Sequence, residues 1–257
     1  MIKAWLILFS VFALLPDAAA QWRVSAQSKS QSLGAGAWYS EKTVTGPADA
    51  ELKIVFFDAA QCTLRVVGQP SKDRADSLAD AARSVGAIAG VNGGFFTKEF
   101  APLGLMIASG KRTGVFEKGP LLTGVVMVRK NKPLVLWREE FTDAVNITEL
   151  LQAGPRLVSN GVPVKGLQAG KSRSRTFVMT DNAGHWGLGL CVYSSLADLA
   201  DMLASGKVIT EFEVSRALNL DGGSSSGLWL RDVSGKERYE PELATVRNFL
   251  TVVPRRP

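Results

Sequence analysis

Leu52-Lys53-Ile54-Val55-Phe56-Phe57 and Thr63-Leu64-Arg65-Val66-Val67 are short runs rich in β-branched and aromatic residues, joined by Asp58-Ala59-Ala60-Gln61. Runs of this length and composition, bounded by turn-forming residues, read as strands, and the short link predicts an antiparallel pair. Similar runs recur at 87–91, 125–128, 134–137, 176–180, 188–193, 217–220, 227–230 and 249–253. Asn131-Lys132-Pro133 between two of them marks a tight turn. Two segments carry helical spacing instead. Ala75, Leu78, Ala82 and Val85 follow a candidate cap at Ser71 and stop at Gly86. Leu196, Leu199 and Leu203 follow Ser194 or Ser195 and stop before Gly206. A short helical turn is expected at 148–152. Many strands, few helices and no regular alternation predict an α+β fold, with a largely antiparallel or mixed sheet core flanked by a few amphipathic helices.

The 257 residues suffice for one sizeable domain, and 46% hydrophobic with 21% charged residues is ordinary globular composition. At the N-terminus Lys3 precedes an apolar run at 4–15, then Pro16 and the small residues Ala18-Ala19-Ala20. That is the three-part pattern of a secretory signal, too short for a spanning helix, so residues 1–20 are expected to be cleaved near Ala20 and the mature chain to be secreted or periplasmic. No later segment is long and apolar enough to hold the mature chain in a bilayer. Residues 21–42, dominated by Ser, Gln, Ala and Gly, read as a flexible leader into a domain at 43–257.

The net charge is +6, and losing Lys3 and Asp17 with the signal leaves it unchanged. The cations are scattered; Arg173-Ser174-Arg175 and Arg255-Arg256 are the tightest clusters, without the interleaved aromatics of a nucleic-acid groove. A mild positive field favours anionic substrates such as phosphorylated glycans. Cys62 and Cys191 both fall in apolar runs; export permits a disulfide, which is favoured here over two buried thiols. The single histidine, His185, and the absence of a cysteine pair at ligand spacing argue against a zinc site, and no cofactor is expected.

Three segments stand out against this background. Asn92-Gly93-Gly94 lies between an apolar run and Phe95-Phe96; Asn-Gly is a hairpin signal, but here the turn would sit against the core, where glycine amides can form an anion-binding nest. Lys171-Ser172-Arg173-Ser174-Arg175-Thr176 feeds a strand ending at Asp181, and an arginine held at a strand start suits bidentate capture of phosphate. Asn219-Leu220-Asp221-Gly222-Gly223-Ser224-Ser225-Ser226-Gly227 delivers a carboxylate into a loop of small hydrogen-bond donors, where burial raises and amide donors lower its pKa. Other motif readings fail. Gly170-Lys171-Ser172 lacks the first glycine of a P-loop, since Lys165 stands there. Gly223-Ser224-Ser225-Ser226-Gly227 fits a nucleophile elbow only in form, since a catalytic histidine should follow the serine and His185 precedes it.

In this order the segments resemble the phosphodiester glycosidase family. The resembling pieces are Asn92-Gly-Gly-Phe-Phe96, Pro102-Leu-Gly-Leu105, Ser109-Gly-Lys111, Gly154-Pro-Arg156-Leu157, Arg175-Thr176 and Asn219-Leu-Asp-Gly-Gly-Ser-Ser225, nearly the whole mature chain. The resemblance implies an enzyme that cleaves the bond between a sugar anomeric carbon and a phosphodiester. It implies Asp221 as nucleophile or general base, Arg175 gripping phosphate and Asn92 positioning substrate. Gly93, Gly94, Arg156, Thr176, Gly222, Gly223, Ser224 and Ser225 would line the substrate site, with Ser224 standing where the family usually has a third glycine. Two other readings are a non-catalytic glycan-binding or envelope domain on the same fold, and a metal-dependent phosphodiesterase using Asp181, Asp221 and Asn219.

Overall fold

A strand offers hydrogen bonds along two edges only, and that limit decides how the first runs are used. The computed structural model describes residues 22–255; the expected signal peptide lies outside them. The first run is part of Ala50–Asp58, whose two edges are taken by Ala37–Thr45 and His185–Ser194. The second run, Cys62–Gly68, therefore does not pair with it, contrary to expectation. The chain turns at 59–61, where Ala59 N–H bonds the Gly184 carbonyl at 2.8 Å, and enters another sheet against Asn248–Pro254.

Among the described residues, nineteen strands form three sheets, and their pairings are antiparallel. The expected α+β fold is thus β-rich, with two α-helices. The nine-stranded sheet is centred on Ala50–Asp58, His185–Ser194, Arg173–Thr180 and Arg216–Asn219. One five-stranded sheet includes Gly124–Arg129, Lys132–Trp137 and Ile147–Ala153; the other includes Ala89–Asn92, Leu228–Arg231 and Asn248–Pro254.

Side chains alternate across each strand, so a run apolar at successive positions serves two cores. Phe57 points into the cluster shared by all three sheets, with Val178, Val126, Val91 and Leu250. Its neighbour Phe56 points the other way, to Phe177, Leu199 and Leu203. Phe249 likewise meets the helix residues Leu78 and Ala82, while Leu250 faces the central cluster. The result is a stack in which one helix, with Leu199 and Leu203, covers the large sheet, the two smaller sheets lie beneath it, and the other helix, with Leu78 and Ala82, covers the sheet that carries Phe249.

Local chemistry fixes the ends. In Leu196–Ala204 the Ser195 hydroxyl accepts from Asp198 N–H at 3.0 Å, so Ser195 is the cap. The first helix starts at Leu78, later than expected, with Ser77 capping Asp80 N–H at 3.1 Å and Gly86 following at φ +67°. Gln69 ties down the preceding loop through both main-chain groups of Asp76, each at 3.2 Å. Lys130 and Asn131, with φ of 49° and 60°, form a two-residue hairpin turn.

Three further expectations are corrected. Residues 22–42 are no loose leader: they build Arg23–Gln27, Gln31–Gly34 and much of Ala37–Thr45. Their small polar composition hides an alternation in which Leu33, Ala37, Tyr39 and Lys42 are buried, the Lys42 ammonium donating to the Val208 carbonyl and Glu211 at 2.7 and 2.8 Å. The helical turn expected at 148–152 is the strand Ile147–Ala153, which sends Leu150 and Leu151 to opposite clusters. Cys62 and Cys191 are free thiols, since Cys62 lies in the central cluster and Cys191 on the helix side of the large sheet. Burial pushes the two thiols up to about 11 and about 12.

Candidate active site

Two sheets meet end to end at one place. Ala89–Asn92 of a small sheet finishes beside the end of Arg216–Asn219 in the large one. Asn92 is fully buried there, and both atoms of its amide are engaged: Nδ2 donates to the Asp221 carbonyl at 2.7 Å, while Oδ1 accepts from Thr176 Oγ1 at 2.7 Å and Gly227 N–H at 3.2 Å. Asp221 N–H returns a bond to the Gly93 carbonyl at 3.0 Å. The three segments singled out in the sequence are therefore bonded directly to one another.

The Asp221 carboxyl sits at the start of a glycine-serine loop. Its Oδ1 accepts from Gly222 N–H at 2.8 Å. Burial raises its pKa, and the Ser225 hydroxyl and Gly222 amide pull against that rise without cancelling it. Gly222 allows the loop to approach the arginine strand, because a β-carbon there would lie 2.9 Å from the Ser174 carbonyl. The positive φ of the loop, +66°, falls on Gly223. Ser224 lies in the short 3-10 turn Gly223–Ser225, is exposed, and accepts from Leu243 and Ala244 N–H at 2.8 and 3.0 Å, so serine fits where a third glycine was expected. Below the loop, Asn219 donates to the Gly154 and Leu220 carbonyls at 2.9 and 2.6 Å, while its buried Oδ1 has no partner among the described residues.

Arg175 and Thr176 leave their strand on opposite faces. Thr176 turns to Asn92, and Arg175 turns toward the second helix. There Arg175 Nε donates to the Ser194 carbonyl at 3.0 Å and Nη2 to Gln168 Oε1 and the Lys171 carbonyl at 3.3 and 2.8 Å. Its Nη1 has no protein partner among the described residues. Burial, reinforced by neighbouring Arg173, lowers the Arg175 pKa. Arg173 is exposed, and a β-carbon on Gly223 would lie 4.0 Å from its Nη1. Among the described residues no carboxylate pairs with either arginine. Two cations beside the Asp221 loop are thus left without a protein counter-ion.

Other expected residues stand elsewhere or act differently. The Gly93 and Gly94 amides form no nest, because Gly93 N–H bonds the Asn248 carbonyl at 2.9 Å and Gly94 N–H bonds Asn248 Oδ1 at 2.7 Å. Glycine is needed at position 93 because a side chain would overlap Asn248. Arg156 packs its side chain over Trp137 and pairs with Glu139 at 3.6 Å rather than with the Asn92–Asp221 knot. Asp181 lies past the far end of Arg173–Thr180, beside Ser215 rather than Asn219, and binds His185 Nδ1 at 2.6 Å. The metal trio of Asp181, Asp221 and Asn219 is therefore not assembled, because antiparallel pairing puts its members at opposite strand ends. No group of three or more His, Cys, Asp or Glu able to hold a metal occurs among the described residues. Asn248 and Arg173 were missed as site residues; Asn248 sits at a strand start, where nothing in the sequence marks its contact with Gly94.

The same fold occurs in solved structures. The zebrafish N-acetylglucosamine-1-phosphodiester alpha-N-acetylglucosaminidase catalytic domain, auto-inhibited by its pro-peptide, matches with 18% identity, TM-score 0.62, and 89% and 88% of the two chains covered. An exported-protein candidate from Burkholderia pseudomallei matches with 13% identity, TM-score 0.60, and 89% and 97% covered. A hypothetical protein from Synechocystis matches with 18% identity and TM-score 0.57, over 86% of this chain and 62% of its own. No curated protein matches by sequence. These likenesses define the fold class. The phosphodiester glycosidase family profile matches residues 85–253, and the chain belongs to that family. No helix among the described residues is long and apolar enough to cross a membrane.

Proposed function

We propose that the chain is exported and hydrolyses the glycosidic bond of a sugar-1-phosphodiester, with Asp221 as nucleophile or general base. The observation that carries this reading is a carboxyl with a raised pKa, pinned through its own main chain by Asn92 and Gly93, beside arginines without counter-ions. A phosphate monoester is a good leaving group, so the reaction asks chiefly for phosphate binding, stabilisation of positive charge at the anomeric carbon, and a placed nucleophile. In the reaction the bond from the anomeric carbon to the phosphate oxygen breaks, and its electron pair leaves with the phosphate. Water supplies the new oxygen on the sugar. Its proton passes to Asp221 if the carboxylate is the base; if Asp221 is the nucleophile, its oxygen bonds the anomeric carbon as the phosphate leaves, and water then attacks that carbon, displacing the carboxylate and giving its proton to the departed phosphate or solvent.

Arg175, through Nη1, and Arg173 beside Gly223 would hold the phosphate. Asn92 would position Asp221 rather than touch sugar, since its amide is already engaged. The purified chain should release sugar from an α-sugar-1-phosphodiester, and excess chelator should leave the rate unchanged. Saturable binding without release would favour the non-catalytic glycan-binding reading and end this one. Export is checked by sequencing the mature N-terminus, expected at Gln21.

A further inference from the structure

A second concave site lies at the other end of the large sheet. The strand Arg173–Thr180 carries Thr176 at the Asn92 knot and Thr180 in the wall of a cleft of about 540 Å³. Four residues of strand separate the two threonines by about 13 Å. The cleft runs between the hairpin strand Lys132–Trp137 and the turn that includes Asn182, Ala183 and Gly184, and its size is that of small-molecule sites.

Three cations line it: Lys132, Arg216 and Arg255. Its one carboxylate, Glu140, is already held by Arg216 in a bidentate pair at 2.5 and 2.9 Å. Arg216 is further fixed by the Val135 carbonyl at 3.0 Å and by Trp137, whose ring centre lies 5.0 Å from its guanidinium carbon; its buried Nε has no hydrogen-bond partner. Arg255 donates to the Ala59 and Asn131 carbonyls at 2.7 and 2.8 Å, both neutral acceptors that leave its charge uncompensated. Lys132 is exposed and enters no ion pair among the described residues. Two uncompensated charges on pre-positioned or rim side chains therefore face an apolar wall of Leu134 and Leu136.

We propose that this cleft is a second anion-binding site that takes a phosphorylated sugar, with phosphate against Lys132 and Arg255 and the sugar body against Leu134 and Leu136. Charge selects the phosphate, and the cleft volume admits a monosaccharide beside it. The site stands apart from Asp221 and does not depend on the glycosidase reading.

The test is titration of the 15N-labelled full mature chain with glucose 1-phosphate, inorganic phosphate and glucose, following backbone amide shifts. Saturable shifts at 132–136 and 182–184 are expected with glucose 1-phosphate, weaker ones with phosphate, and none with glucose. Lys132→Glu should weaken the binding at least fivefold, and Ala183→Glu, which places a carboxylate on the exposed turn, should do the same. Both variants should hydrolyse a sugar-1-phosphodiester at the unaltered rate. Asp221→Asn should leave the cleft shifts in place while hydrolysis is lost. Absence of saturable shifts at these positions, or shifts unchanged in both charge variants, would overturn the proposal. A fully active Asp221→Asn variant would instead overturn the catalytic reading and leave this site standing.

Discussion

At the level of single residues, the decisive quantity is the free energy of ionising Asp221. A carboxyl whose folded pKa is raised binds its proton more tightly in the folded than in the unfolded chain. Its ionised form therefore costs stability at neutral pH, and that cost declines as pH falls below the folded value and is gone below the unfolded one. Asp221→Asn removes the cost together with the reacting group. It should abolish turnover while leaving the thermal midpoint at pH 7 equal to or above the parent's, a separation that calorimetry and a sugar-release assay check together. The acid limb of kcat/KM should fall at a higher pH than an exposed aspartate would give, because the protonated form cannot act as nucleophile or base. Arg173 makes the complementary case. It is exposed and makes no ion pair among the described residues, so Arg173→Ala should raise KM about tenfold, the worth of one charged hydrogen bond, with little change in folding. The effect should shrink at high salt, where an exposed charge is screened.

At the level of elements, the site exists because strands from different sheets end together. Asn92 ties them through three hydrogen bonds from a side chain that solvent does not reach. Asn92→Ala would leave the Asp221 carbonyl, the Thr176 hydroxyl and the Gly227 amide without that partner, at a cost of about 3 kcal/mol. Urea unfolding should show that loss, and kcat should fall with it, because the Asp221 loop loses the side chain that holds its main chain. Most strand positions were legible because β-branched runs with turn punctuation are local signals, as at 176–180 and 249–253. Pairing was not. Whether Cys62–Gly68 joins Ala50–Asp58 depends on which edges other strands have already occupied, and those strands lie far along the chain. The same holds at 148–152, where the expected helical turn yields to a strand buried on two faces between its neighbours.

For the molecule as a whole, the three sheets share one core, and the N-terminal strands close an edge of the largest. A chain starting at residue 46 would lose Ala37–Thr45 and expose one side of Ala50–Asp58, whose Val55, Phe56 and Phe57 are apolar on both faces. Such a truncation should aggregate or fail to unfold cooperatively, as size-exclusion chromatography and calorimetry would show. The buried free thiols give a second whole-molecule test. Reductant should not lower the thermal midpoint, and thiol reagent should label Cys62 and Cys191 only after denaturation.

The sequence by itself determined the strand-rich character, the two helices with a serine cap on the second, and the family, because each rests on neighbouring residues or on the order of short motifs. It also marked Asn92, Thr176 and Asp221. Only the tertiary structure decided that Asn92 bonds the Asp221 and Thr176 segments to one another, that Gly93 and Gly94 serve Asn248, that Arg156 and Asp181 lie away from the knot, and that the cysteines stay apart. Those outcomes depend on which side chain reaches a given donor or acceptor first, and that competition is settled between residues remote in the chain and adjacent only once the sheets have packed.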